Sequence, residues 1–228
     1  MPTSAPRTAR AVARRELTDA IVTSARRQLA DLGPAQLSVR AVARDLGMAS
    51  SAVYRYFPSR DELLTELLVI MYGELADLLE AADAGCARGD LAGRWCTLGS
   101  TLRGWAVRAP HEYAFLYGSP VPGYAAPEAT IQPSGRVTGV LIALTADLDA
   151  TGPPSPRTPL PAGTHALLEA FRDRAGADLS DEAIVRAVTA WGGLLGAISL
   201  ELFGHLHRAV TDYDAHFALV LDRLDPAR

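Results

Sequence analysis

Leu37-Ser38-Val39-Arg40-Ala41-Val42-Ala43-Arg44-Asp45-Leu46-Gly47-Met48-Ala49-Ser50-Ser51-Ala52-Val53-Tyr54-Arg55-Tyr56-Phe57-Pro58-Ser59-Arg60-Asp61-Glu62-Leu63-Leu64 decides the fold. Val39, Val42, Ala43 and Leu46 stand at i, i+3, i+4 and i+7, an apolar stripe along one side of a short helix, with Arg40 and Arg44 on another side. Ser38 suits the N-cap of that helix. Gly47 follows where a left-handed residue would end it and turn the chain, and a second short helix is expected over about Ala49 to Tyr56. In the second helix Val53 and Phe57 share one side, while Ser50, Ser51, Tyr54 and Arg55 share the other. Helix, tight glycine turn and helix is the helix-turn-helix arrangement.

Outward from this motif the pattern stays helical. Before it, Val12, Leu17, Ile21, Val22, Ala25 and Leu29 suit a helix over about Arg10 to Leu32, which Gly33-Pro34 ends. After it, Ser59-Arg60-Asp61-Glu62 is an S-x-x-E capping box opening a long helix marked by Leu63, Leu64, Leu67, Leu68, Met71, Leu75, Leu78 and Leu79. Further helices are expected over Asp90 to Ala109, Pro110 to Tyr117, Ile131 to Leu148, Thr164 to Ala175, Ser180 to about His207 and Asp212 to Leu224. Gly118 to Pro127 and Gly152 to Gly163 read as Gly/Pro-rich loops, the second a mobile one. The fold expected is all-α, a three-helix helix-turn-helix domain followed by a larger helical domain. The divisions are a flexible arm over 1–9, the helix-turn-helix domain over 10–58, a connecting helix over 59–84 and the C-terminal domain over 85–228.

Charge separates the two ends of the chain. The net charge is −4, yet residues 1–60 hold ten arginines against four acids, which leaves 12 basic and 22 acidic residues for the remainder. A basic segment on an acidic body suits a phosphate-binding module joined to a domain with another kind of partner. Every basic residue is arginine, a coding bias that weakens any reading of arginine as chosen over lysine. Cys86 and Cys96 form no CxxC motif, so neither a disulfide framework nor a zinc site is indicated, and a reducing cytoplasmic setting is expected. The longest uncharged apolar stretch, Ala187 to Leu200, runs 14 residues, against the ~20 of a membrane span. No membrane partner is expected.

The second helix of the pair fits the major groove, where small hydroxyls permit close approach, an arginine can fork onto guanine and a tyrosine can reach phosphate. Arg40, Arg44 and Arg60 stand where they can meet the DNA backbone. Residues 37–64 resemble the TetR family of bacterial regulators: an alanine-bearing helix, the glycine turn, Tyr54 with Phe57 as Tyr-x-x-Phe, then Arg60-Asp61-Glu62-Leu63-Leu64. The resemblance implies double-stranded operator DNA as partner and Arg40, Ser50, Ser51, Tyr54, Arg55, Tyr56 and Arg60 as the residues touching it, with Tyr54 and Arg60 on phosphates. Ala49 stands where the family often has Ser or Thr, so capping from Ser50 would shift the base-reading set by one residue. Tyr56 adjoins the Val53 and Phe57 side and is expected to pack in the core. Arg7, Arg10, Arg14 and Arg15 read as a solvated arm, with a minor-groove reader as the alternative.

The resemblance further implies a cytoplasmic repressor, released from a palindromic operator by an unknown small-molecule effector, and a homodimer through the last two long helices. Read alone, Ala187 to Leu200 is too continuously apolar for a one-sided surface helix, and Gly192, Gly193 and Gly196 would let another helix approach closely. Burial wholly within one subunit is the competing account. The run Ala-Pro-His-Glu-Tyr-Ala-Phe-Leu-Tyr-Gly over 109–118 resembles the WHG-type C-terminal domain of one TetR subgroup. A ligand pocket is expected from Met71, Trp105, Tyr113, Phe115, Tyr117, Trp191 and Leu195, although ordinary core suits each of them singly. No catalytic residues, metal ligands or cofactor are expected: His205 and His207 diverge on a helix, His165 with Glu169 is an isolated pair, and no triad, HExxH or phosphate loop occurs. A metal-sensing regulator using those histidines and a helical small-molecule carrier without DNA function remain as alternatives.

Overall fold

A computed structural model describes residues 9–151 and 161–226. The expected arm over 1–9 lies outside them except for its last residue, and most of the Gly152 to Gly163 loop lies outside them too. The described residues form ten α-helices and three short 3-10 turns, with no strand among them. The chain divides into two compact units, Met1–Met71 with His111–Thr130 and Tyr72–Pro110 with Ile131–Arg228. This differs from the division made along the sequence. Residues 111–130 group with the N-terminal unit, and the boundary falls inside the long helix rather than after it.

In the first unit α1 spans Ala9–Leu32, α2 Val39–Asp45 and α3 Ser50–Tyr54; α4, Arg60–Ala84, begins here, and α6 spans Pro110–Tyr117. Ile21, Ala25 and Leu29 of α1, Val39 and Val42 of α2, Val53 of α3, and Leu63, Leu64 and Leu67 of α4 are all buried. Each is a position that the helical spacing assigned to an inner face, and each fully buried aliphatic side chain stabilises by roughly 1.5–3 kcal/mol. Gly33 (φ 77°) and Gly47 (φ 66°) take left-handed conformations at the two helix ends where glycine was expected to turn the chain. Ser38 Oγ accepts from the Ala41 amide at 3.4 Å and Ser59 Oγ from the Glu62 amide at 3.1 Å, capping α2 and α4.

One polar cluster ties α1 to α2. Ser24 Oγ donates to Asp45 Oδ2 at 2.5 Å, and Arg27 pairs with the same oxygen at 2.7 Å. The Ser24 hydroxyl, and after it the Arg27 guanidinium, hold the Asp45 carboxyl below its ordinary 3.8. A depressed carboxylate contributes stability above its unfolded pKa and loses it as pH falls through the folded one. Thermal melts from pH 7 down to pH 3 are therefore expected to show an acid limb below about pH 4 that Asp45→Asn flattens. Identical acid limbs in the two proteins would remove this cluster from the account.

The second unit holds the rest of α4, with α5 over Leu91–Arg108, α7 over Ile131–Thr151, α8 over His165–Ala175, α9 over Asp181–Leu202 and α10 over Tyr213–Arg223. α7 packs on α5, α8 and α9, while α10 packs on α5 and α9. Two glycines set the approach of α10. A Cβ on Gly99 would lie 2.3 Å from Leu221 Cδ2, and one on Gly193 would lie 2.7 Å from Leu224 Cδ2. At the same junction the buried indole of Trp95 donates to the Leu221 carbonyl at 2.9 Å, which satisfies the polar atom of a side chain otherwise suited to the core. Asp149 accepts from the Ser180 amide at 2.8 Å and the Ser180 hydroxyl at 2.6 Å, tying the end of α7 to the start of α9.

α9 ends earlier than its expected limit near His207. Phe203 is the C-cap, Gly204 (φ 77°) and Arg208 (φ 67°) are left-handed, and the intervening residues form turns. At 22 residues, with a mean hydropathy of 1.5 over its most apolar 18, α9 is long and apolar enough to cross a membrane by those two measures alone, a length the 14-residue uncharged run understates. Its Ile184, Ala187, Ala190, Leu194 and Ile198 are buried, so packing within the second unit accounts for one side of its apolar character.

Candidate nucleic-acid interface

α3 is the element on which the interface rests, and burial sorts its residues as the spacing requires. Val53 and Phe57 are inside at 0% and 7% exposure, Ser51, Tyr54 and Arg55 are exposed, and Ser50 and Tyr56 are half-buried. The turn before it is closed by the Met48 amide donating to the Ala43 carbonyl at 2.8 Å, a bond that the left-handed Gly47 makes possible. Ala49 is the N-cap and supplies no side-chain bond, and Ser50 is the first helical residue. Capping from Ser50, raised as an alternative on the sequence, does not occur. The helix is short, and the turn and the buried Val53 hold it in place rather than a cap.

Arg40 and Arg44 of α2 are exposed, and neither they nor Arg55 has a carboxylate partner among the described residues. Four arginines of the second unit are engaged differently. Arg94, Arg103, Arg136 and Arg172 each pair with at least two carboxylates. Guanidinium groups without a carboxylate partner keep their N–H donors available to phosphate and base edges.

Two residues of the expected set are placed otherwise than the sequence suggested. Arg60 turns inward: its Nε donates to the Leu37 carbonyl at 3.2 Å, and one terminal nitrogen reaches the carbonyls of Pro34 at 2.8 Å and Ala35 at 3.3 Å. Those carbonyls belong to the link between α1 and α2, so Arg60 positions the helix pair. Tyr56 is half-buried rather than fully in the core, and the Arg14 guanidinium lies 5.3 Å from its ring centroid. That neighbour was not legible in the sequence, because 42 positions separate the two residues and no local pattern links them.

The residues expected to line a ligand pocket divide between the units. Met71, Tyr113, Phe115 and Tyr117 belong to the first and Trp105, Trp191 and Leu195 to the second. Met71 and Tyr113 are fully buried, Trp105 and Phe115 nearly so, and the Tyr113 and Tyr117 rings stand 5.4 Å apart. Two open concavities, of about 460 and 510 Å³, are lined by none of the seven. Sequence reading also missed how segment 111–130 is held: Glu112 pairs with Arg26 of α1 at 3.9 Å, and the Tyr124 hydroxyl meets the Thr65 hydroxyl of α4 at 2.8 Å.

Family comparisons bear on both ends of the chain. The model described as bacterial regulatory proteins, tetR family, matches residues 21–67, and the tetracyclin repressor-like C-terminal domain matches residues 95–224. The chain belongs to the TetR family. HTH-type transcriptional regulator Rv1816 of Mycobacterium tuberculosis is 43% identical to it over 196 residues, which covers 84% of this chain and 83% of the relative. Regulator Mb1846 of Mycobacterium bovis matches to the same extent. Among solved structures, regulatory protein SCO4313 superposes with a TM-score of 0.77 at 33% identity, covering 96% of this chain and 98% of its own. This TetR-family protein is therefore a DNA-binding transcriptional regulator with an all-helical fold. The 109–118 run lies inside the C-terminal match, and α2, the glycine turn and α3 lie inside the N-terminal one.

Proposed function

We propose that this regulator is a cytoplasmic homodimeric repressor that reads a palindromic operator through α3 and is released from it by a small-molecule ligand, without catalytic activity of its own. The observation that carries the reading is the outer face of α3, where exposed Ser51, Tyr54 and Arg55 and half-buried Ser50 stand over buried Val53 and Phe57. In this reading Arg55 contacts a base, Ser50 and Ser51 let the helix approach the groove floor, and Tyr54, Arg40 and Tyr56 meet phosphates. Arg60 acts by holding the α1–α2 link. A two-fold dimer accounts for a palindromic site, with the two α3 helices about 34–36 Å apart or a multiple of that.

Release requires the ligand to favour an arrangement with the wrong spacing. Segment 111–130 supplies a route. It leaves and rejoins the second unit in the chain, yet Glu112 and Tyr124 tie it to Arg26 and Thr65 of the DNA-binding unit. A ligand bound beside Tyr113 and Tyr117 would act on this segment directly.

The test is selection from random duplex DNA, repeated with Arg55→Ala. Wild type is expected to enrich a palindrome, and the variant to lose preference at one position in each half-site, at about 1–3 kcal/mol per lost base contact. Tyr54→Phe is expected to weaken every sequence alike. An unaltered base preference in Arg55→Ala would remove Arg55 from the base-reading set.

A further inference from the structure

The mechanism above makes no use of the first two turns of α1, which carry Arg10 and Arg14. They stand at i and i+4, on one side of the helix and about 6 Å apart along its axis. Both are exposed, and neither is paired with a carboxylate among the described residues. Arg27, further along the same helix, is paired with Asp45. Arg14 also has an aromatic neighbour: its guanidinium lies 5.3 Å from the centroid of the Tyr56 ring, the residue after Arg55 at the end of the reading face. Cation and ring attract each other, and a guanidinium resting on an aromatic face keeps its in-plane N–H edges free to donate. A freely solvated arginine would lack this anchoring.

We infer that Arg10 and Arg14 form a second DNA-contacting element, a cationic clamp on the phosphodiester backbone next to the half-site read by α3. The occupant follows from charge and continuity. A cation resting beside the reading face, with a second cation one turn away and no acid paired with either among the described residues, meets the polyanion that α3 already engages. Tyr56 is the positioning residue of this element: it holds Arg14 at the edge of the groove. The clamp rests on the assignment of α3 as the reading helix and extends the footprint beyond it without adding base specificity.

The test is binding of the full-length protein to a 30-base-pair duplex of random sequence and to its own selected duplex, across a series of salt concentrations. Each phosphate contact contributes about 0.9 to the log–log salt slope, so Arg14→Ala should flatten the slope by about 1.8 for a dimer and the Arg10→Ala/Arg14→Ala pair by about 3.6. Arg14→Lys, which keeps the charge, should retain the wild-type slope, and so should Arg108→Ala, which removes one charge from α5. The selected sequence should be unchanged in every variant. Wild-type slopes in both alanine proteins would overturn the clamp. So would a slope in Arg14→Lys as flat as that in Arg14→Ala, because the effect would then not follow charge. A changed selected sequence would make these arginines base readers and overturn the backbone assignment. Failure of wild type to enrich any sequence would instead count against α3, while the slopes on random duplex would still decide the clamp.

Discussion

Arg94→Ala is expected to lower the melting temperature by about 6–12 °C. The Arg94 side chain is 1% exposed and bridges three helices. It grips Asp83 of α4 with two bonds, at 2.7 and 3.0 Å, and reaches Asp147 of α7 at 2.6 Å from its own place on α5. Those hydrogen bonds, led by Asp83, outweigh burial and raise the Arg94 pKa. Truncation takes the guanidinium away from Asp83 and leaves Asp147 with the exposed Arg88 alone, 2.8 Å away, and breaking a buried pair in this way costs about 3–5 kcal/mol. Both aspartates keep some solvent, so the lower end, about 3 kcal/mol, applies, and for a chain of this size each kcal/mol moves Tm by about 2–4 °C. Replacing Arg94 and Asp83 together with apolar residues should recover much of the loss, since the cost lies mainly in the orphaned Asp83 charge while Asp147 keeps Arg88. Differential scanning calorimetry of both proteins checks this, and an Arg94→Ala protein that melts with wild type would show the bridge to be idle.

Gly196→Leu is expected to convert the proposed dimer to monomer and to reduce operator affinity by about 10²–10⁴, the gain that linking two half-site contacts supplies. Three glycines of α9 that look equivalent in the sequence have different surroundings. A Cβ on Gly193 would collide with Leu224 of the same chain, whereas Cβ atoms on Gly192 and Gly196 would meet nothing within 4 Å. Gly192 and Gly196 stand on an outer face of α9 that continues into Leu200 and Phe203, 45% and 47% exposed, and Leu219 of α10 is 53% exposed. An exposed apolar face around small residues suits a second copy of the chain.

Leucine at position 196 should therefore leave the protomer at least as stable, because it replaces a poor helix former, while it fills the space a partner needs. Gly193→Leu should do the reverse and destabilise the protomer through Leu224. Size-exclusion chromatography with thermal melts distinguishes the two. A Gly196→Leu protein that remains dimeric and binds its selected duplex normally would move the interface elsewhere.

Much of the helical organisation is legible without coordinates. Ser38 and Ser59 announce helix starts because a hydroxyl can accept the free amides there, and Gly47 announces a stop because a left-handed backbone suits glycine. The periodicity of Val39, Val42 and Ala43, and of Val53 with Phe57, identifies the inner sides of α2 and α3. These are local rules acting over one or two helical turns. The near miss is the end of α9, where the apolar pattern continues past Leu202 but the left-handed Gly204 does not let the helix follow.

What the sequence by itself determined is thus the set of helices, their inner faces and the identity of α3 as the outward-facing element, since each depends on neighbours three or four residues away. Only the tertiary structure decided which of three glycines contacts α10, that Arg60 binds the carbonyls of Pro34, Ala35 and Leu37, that Arg14 rests on Tyr56, and that residues 111–130 pack with the DNA-binding unit. The physical reason is one of range. An arginine side chain is long and its partner is chosen in space, so no spacing along the chain distinguishes a guanidinium that meets DNA from one that meets a carbonyl many residues away.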